Sequence, residues 1–326
     1  MKQQLFEKRY QDDWQRFEQV LSALEGHQRK SLADEQRAEF ASLYRRMCHL
    51  LSLARQRQYS SHLIDRLNGL VLRGHQQLYQ RRGHLLQQAL GFIVAGFPAL
   101  VRAQWRYVLA AGLLFYAPGA VLCALAVVFP ELTYSAVNPG MLMNMESMYD
   151  PDAEHVGRPR EATTDFAMFG FYIRNNISVA FQTFAGGMLF GIGSIFFLVY
   201  NSIVFGAVSA HMINVGYQET FFSFVIGHGA LELTAIVLAG AAGLKLGYAL
   251  WAPGRMSRVD ALRAAAVVAV RIVYGVILML LAAAFIEAFW SSSGVMSAGV
   301  KFAVGTLLWV LVLVYFLALG RGVRES

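Results

Sequence analysis

Apolar residues along the chain follow two patterns. Over residues 1–83 they are spaced: Trp14, Phe17, Leu21 and Leu24; then Phe40, Leu43, Met47, Leu50, Leu51 and Ala54; then Leu63, Leu67, Leu70, Val71 and Leu78. Steps of three and four put each set on one face of a helix. Gly26 and the Ser31–Asp34 segment read as a break and a new start. The pattern predicts a domain of three antiparallel helices over 1–83. From residue 108 onward the apolar residues gather into long continuous runs, near 108–129, 177–200, 202–216, 221–250, 264–289 and 301–319. Most of these runs approach the roughly 20 residues that a helix needs to cross a bilayer. Segment 202–216 is short and carries Gly206, Ser209, His211 and Asn214. It is a crossing or part of a re-entrant pair, and a crossing is expected.

Two stretches fit neither pattern. Residues 84–107 are apolar from Leu85 to Val101 but interrupted by Gly91, Gly96 and Pro98, and Arg102, Trp105, Arg106 and Tyr107 follow. Trp, Tyr and Arg suit the headgroup region, so an interfacial helix is expected that turns at Pro98 and feeds a transmembrane domain over 108–326. Pro118-Gly119 predicts a kink in the first span, because Pro lacks a backbone donor. Residues 130–176 form a long polar loop with seven acids (Glu131, Glu146, Asp150, Asp152, Glu154, Glu161, Asp165) and four methionines (Met141, Met143, Met145, Met148). Thioethers suit Cu(I). The plainer expectation is an adaptable apolar cap lying on the membrane.

Composition agrees with the pattern. The 326 residues are 56% apolar and only 15% charged, against about one quarter charged in soluble domains. The fold class is all-α: a polytopic membrane protein with about six transmembrane helices and an N-terminal cytoplasmic helical bundle. Cys48 and Cys123 make neither a disulfide framework nor a metal pattern. The polar N-terminus does not read as a cleavable signal, so the first span is expected to direct insertion.

Charge then sets orientation. Residues 1–83 hold 15 Lys/Arg against nine Asp/Glu, the 251–263 loop and the C-terminus are basic, and the 130–176 loop is acidic. Six crossings place every basic part in the cytoplasm and the acidic loop outside. The net +7 thus reads as membrane topology rather than nucleic-acid binding. The basic residues of 1–83 form a solvated face near anionic lipid or a docking face for a cytoplasmic partner.

The candidate chemistry lies in the fourth run. His228 and Glu232 are four residues apart, so they share a helix face, which Ala235, Ala239, Ala242 and Gly243 continue. A carboxylate at membrane depth requires a partner, a proton or water. His211 and Arg271 are candidate neighbours, although Arg271 can also snorkel to the surface. The pair is a proton- or cation-handling site, or a hydrogen-bonded packing element. Zinc hydrolysis is disfavoured, since no His-Glu-x-x-His pattern and no third ligand are evident. Glu287, near its span end, is expected in interfacial water, and Lys245 and Lys301 are expected to anchor span ends. Gly187, Gly191, Gly240, Gly243 and Gly247 are expected to permit close helix or subunit contact. No phosphate loop, dinucleotide fingerprint or nucleophile elbow occurs, so no cofactor is implied.

Gly227-His-Gly-Ala-Leu-Glu232, Ala239-Gly-Ala-Ala-Gly-Leu-Lys-Leu-Gly247, Pro253-Gly254 and Phe169-Gly-Phe-Tyr-Ile-Arg-Asn-Asn-Ile177 carry a resemblance. So do Leu43-Tyr-Arg-Arg-Met47 and Leu67-Asn-Gly-Leu-Val-Leu-Arg-Gly-His-Gln-Gln-Leu-Tyr79. Over nearly its whole length the chain resembles the stage II sporulation protein M family, also called DUF95. That family often has Pro before the histidine, where Gly227 stands here. The resemblance implies a non-enzymatic scaffold of the bacterial inner membrane, beside peptidoglycan-remodelling proteins or MoxR-type AAA+ ATPases, and a homo-oligomer. The alternative is a transporter or channel lined by His211, His228 and Glu232.

Overall fold

The computed structural model describes residues 2–25, 34–152, 165–293 and 295–321, with backbone alone at 34–38, 78–85 and 165. The chain divides into two compact units, Met1–Gly91 and Phe92–Ser326.

The first unit contains α1 (Gln3–Glu25), α2 (Asp34–Gln56) and α3 (Ser61–Gly91), each packed on the other two. The spaced apolar residues meet inside it: Trp14, Phe17, Leu21, Met47, Leu50, Ala54 and Leu67 are all sealed from solvent. Phe17 stacks on Phe40 with ring centroids 5.6 Å apart. Burying one such side chain contributes about 1.5–3 kcal/mol. The charges stay outside, paired across helices as Arg16–Glu39, Arg46–Asp13 and Arg73–Glu25. The break expected from Gly26 to Ser31 lies outside the described residues, as do Glu154 and Glu161 of the acidic loop.

The second unit is built on α5 (Trp105–Val128), α8 (Asp165–Ala185), α9 (Ile192–Asn214), α10 (Gln218–Trp251), α11 (Arg258–Ile286) and α12 (Ala298–Ala318). A short α4 (Phe97–Ala103) precedes them, and α6 (Glu131–Ala136) and α7 (Pro139–Tyr149) fill the acidic loop. Helix α10 is central, touching α5, α8, α9, α11 and α12. Six stretches are long and apolar enough to cross a membrane: Leu86–Ala103, Trp105–Val128, Ile192–Asn214, Gln218–Trp251, Arg258–Ser291 and Ala298–Ala318. Large apolar side chains such as Leu113, Phe196, Val267 and Leu313 face outward, as lipid contact requires. The chain is a multi-pass membrane protein.

The helix boundaries differ from the expected runs in two places. Residues 84–107, expected as an interfacial helix turning at Pro98, instead hold a helical stretch, Leu86–Ala103, long and apolar enough to cross a membrane, and the helix runs through Pro98 to Ala103. Residues 177–200 are not one span. The chain reverses inside them, through the 3-10 turn Gly186–Met188, between α8 and α9. Phe190 and Gly191 both have positive φ, 53° and 84°, a conformation that suits glycine and sharply turns the chain. Segment 202–216 is therefore the second half of α9 rather than a separate short helix. Helix α8, with Arg174, Asn175, Asn176 and Gln182, is not among the six apolar stretches. It nonetheless runs alongside α10, from Asn176 beside Glu232 to Thr183 and Phe184 against Gly243.

The hairpin packs on α10 through bare backbone. A Cβ on Gly187 would run into the backbone of Gly243, one on Gly243 into Thr183 O and Phe184 O, and one on Gly247 into Gly191. Gly240 makes room for Leu198. The glycines that sequence reasoning set aside for packing thus also make the turn. Farther along, the Gly119 N–H, one residue after Pro118, donates to Ser202 Oγ on α9 at 2.7 Å. The α5 helix continues through that proline.

Candidate functional site

Polar side chains converge where α8, α10, α11 and α12 meet. Helix α10 contributes His228 and Glu232, one turn apart. His228 is 6% exposed, and its Nδ1 lies 3.1 Å from Ser291 Oγ. The Phe224 ring meets the imidazole edge to face at 5.3 Å. Gly227 leaves space for the Trp290 ring, whose Cζ3 would stand 2.6 Å from any Cβ there. A proline at 227 would close that space.

Helix α11 does not end at Ile286. It continues through a π-turn, Glu287–Ser291, a feature often found at functional sites. The widened turn carries Glu287 into the interior, where it is 9% exposed. One ligand atom from each of His228, Glu232 and Glu287 lies within 4.8 Å of the others. Lys301, in the first turn of α12, is 4% exposed and donates to Ser291 O at 2.8 Å. Asn176 of α8 adjoins Glu232 and accepts from Asn175 Nδ2 at 3.0 Å.

A cavity of about 300 Å³ reaches His228 and Glu232 from the side of α9, past Asn175 and Asn201. Met141 and Met145 of α7 form part of its wall. The α7 helix is held there by its own cap: Pro139 opens it, and Asn138 Oδ1 accepts from Met141 N at 2.8 Å. Met148 packs against α9 and α10 with Val208, Phe221 and Phe224. These methionines serve as an apolar cap. Met143 points away and is exposed.

The structure brings together only part of the expected constellation. His211 is buried, but its Nε2 contacts Glu146 Oε1 at 2.6 Å, and it does not line the His228 cavity. Arg271 is exposed on α11, next to the buried Ile272, and makes no described contact with Glu232. Glu287 and Lys301, expected in interfacial water and at a span end, are instead internal. The reason is the π-turn, which prolongs α11 beyond Glu287 and brings the Ser291 carbonyl to Lys301. Lys245 donates to Gln104 Oε1 at 2.9 Å and lies over the Tyr107 ring, tying α10 to the start of α5.

Sequence reasoning missed Asn176, Glu287, Ser291 and Lys301. Both charged residues were visible as ionisable groups within four residues of a span end. The usable signal was that each lies inside an otherwise apolar run, where such groups mark functional or paired positions. Chemically, the cluster offers one imidazole, two carboxylates and one ammonium in a largely buried setting. That set can exchange protons or hold a cation.

A family model described as stage II sporulation protein M matches residues 109–292, and one described as a domain of unknown function, DUF8413, matches residues 4–80. No curated protein and no solved structure matches the chain. The two matches fall on the two compact units. The first covers α5 to the π-turn, and with it His228, Glu232 and Glu287.

Proposed function

The chain belongs to the stage II sporulation protein M family, and on that premise we propose that it is a non-enzymatic assembly protein of a bacterial envelope complex. It sits in the inner membrane with both termini in the cytoplasm. One observation carries this reading: residues up to Gly91 pack around an apolar core of their own and keep their charges on the surface. Such a unit suits docking, and its basic excess suits an acidic protein face or anionic lipid. A MoxR-type AAA+ ATPase is the proposed cytoplasmic partner, any ATP-driven step belonging to it. Peptidoglycan-remodelling proteins are the proposed partners of the α6–α7 side, and a second copy of the chain is the proposed membrane neighbour. The test is co-purification of the full chain with the ATPase from solubilised membranes. Deleting residues 1–83 is expected to abolish it, and undiminished recovery would sink the reading.

A second reading, a transporter or channel, is favoured by the polar cavity at His228 and Glu232. It requires Glu232→Gln to alter ion or solute flux in proteoliposomes while the protein still accumulates. Flux equal to that of protein-free liposomes removes it.

A further inference from the structure

We propose that His228, Glu232 and Glu287 form a binding site for one divalent transition-metal ion of the Zn²⁺ or Mn²⁺ class. The inference holds whether the chain acts as a scaffold or as a transporter, since it concerns what the cluster binds.

Geometry comes first. Glu232 lies one turn from His228 on α10, and the π-turn of α11 delivers Glu287 to the same point. One donor atom from each lies within 4.8 Å of the other two. Bonds of about 2.0–2.2 Å to nitrogen and oxygen would set the donors roughly 3–3.5 Å apart. Side-chain rotation would close that difference of an ångström or so.

Donor chemistry narrows the ion. One imidazole nitrogen with two carboxylate oxygens suits Zn²⁺, Mn²⁺ or Fe²⁺. It suits Cu(I), which prefers sulfur, and Ca²⁺, which prefers oxygen alone, less well. Charge points the same way. Two carboxylates this close can both ionise in a low-dielectric interior only if a cation compensates them, and one divalent cation would neutralise both.

The surroundings supply an independent indication. Glu232 Oε2 is sealed from the surface and has no donor within good hydrogen-bond geometry among the described residues, the neighbouring Asn176 Nδ2 being likewise unpaired. A buried polar oxygen in that state calls for a water or an ion. His228 Nδ1 is placed by Ser291 Oγ at 3.1 Å. This orients the ring, as hydrogen bonds behind metal-binding histidines generally do. The Ser291 carbonyl accepts from the Lys301 ammonium at 2.8 Å, which ties the start of α12 to the same turn. The cavity of about 300 Å³ that His228 and Glu232 line provides the access route such a site needs, with room for a water ligand.

The experiment uses the untagged full chain in lipid nanodiscs, stripped with chelator and then titrated with Zn²⁺, with Co²⁺ as a spectroscopic probe. One tightly bound Zn²⁺ per chain is expected, with a Co²⁺ visible spectrum of mixed N/O ligation. His228→Gln, Glu232→Gln and Glu287→Gln are each expected to weaken binding at least about 100-fold, beyond what loss of an outer hydrogen bond costs. His211→Gln and Arg271→Gln should leave it unchanged. If Glu287→Gln does not accumulate, Glu287→Asp keeps the charge, and weakened but measurable binding is expected from it. Absence of stoichiometric binding overturns the proposal. So does binding that survives the three ligand substitutions, or binding that disappears with His211→Gln.

Discussion

The two units of the chain solve opposite problems with the same secondary structure. In the unit ending at Gly91, apolar side chains fill the interior and every described ion pair lies on the surface. In the unit that begins at Phe92, leucines, valines and phenylalanines cover the outside, while His228, Glu287 and Lys301 lie within. The first helices are held by the hydrophobic effect. Helices in lipid have no such force between them, so close backbone packing and internal polar contacts take its place. Gly187 against Gly243, and Lys301 on the Ser291 carbonyl, are the membrane counterparts of Phe17 on Phe40.

Four substitutions test that contrast. The largest effect is expected in the water-soluble core. Phe17→Ala should cost about 3–5 kcal/mol, read as a lower denaturant midpoint for the helical signal of the first unit. If the change costs nothing, the bundle is not held by its core. Lys301→Met keeps the length and removes the ammonium. It should cost about 1.5–3 kcal/mol, the value of a hydrogen bond to a charged group, seen as reduced thermal stability in detergent. A neutral or stabilising result would mean that an apolar interior serves equally well there. Gly187→Ala should cost about 1–3 kcal/mol from overpacking against Gly243, with less protein accumulating in the membrane. Normal accumulation would show that the hairpin tolerates separation from α10.

The smallest effect belongs to the surface of the first unit. Arg73 meets Glu25 through two hydrogen bonds, at 3.1 and 2.6 Å. The side-chain hydrogen bond from Arg73 holds the Glu25 carboxyl below its ordinary pKa. The pair therefore contributes fully above the ordinary carboxylate pKa, and its contribution is lost as pH falls through the lowered one. Because both groups are largely exposed, Glu25→Gln should cost only about 0.2–1 kcal/mol at neutral pH. The difference from the parent chain should vanish in acid. A cost that persists at low pH would assign the effect to packing instead.

How much of this was legible follows from the same contrast. In the first unit the helical spacing of Trp14, Phe17, Leu43, Met47, Leu63 and Leu67 was sufficient, because in water the pattern and the core are the same thing. In the second unit the apolar runs announced spans but hid where helices turn. Gly187 and Gly191 read as a packing step within one helix, yet Gly191 and Phe190 make a reversal. Nothing in the identity of Phe190 announces a positive φ. His228 and Glu232 were found because four-residue spacing survives in any α-helix. Glu287 was misplaced because its position near the end of an apolar run read as interfacial depth, whereas a π-turn prolongs the helix beyond it. His211 was grouped with His228 by its apolar surroundings. Its partner, Glu146, came from a loop whose path the sequence leaves open.

The central claim is that the membrane unit keeps Glu287 and Lys301 inside, and the most direct measurement is thiol accessibility at Glu287. In a chain with Cys48 and Cys123 replaced by Ser, Glu287→Cys and Val295→Cys are each treated with a membrane-impermeant maleimide. Val295 is 88% exposed in the segment between α11 and α12, whereas Glu287 is 9% exposed. Rapid labelling at 295, with protection at 287 until the protein is unfolded, is the expected result. Equal labelling at the two positions would put Glu287 in interfacial water and contradict the polar interior.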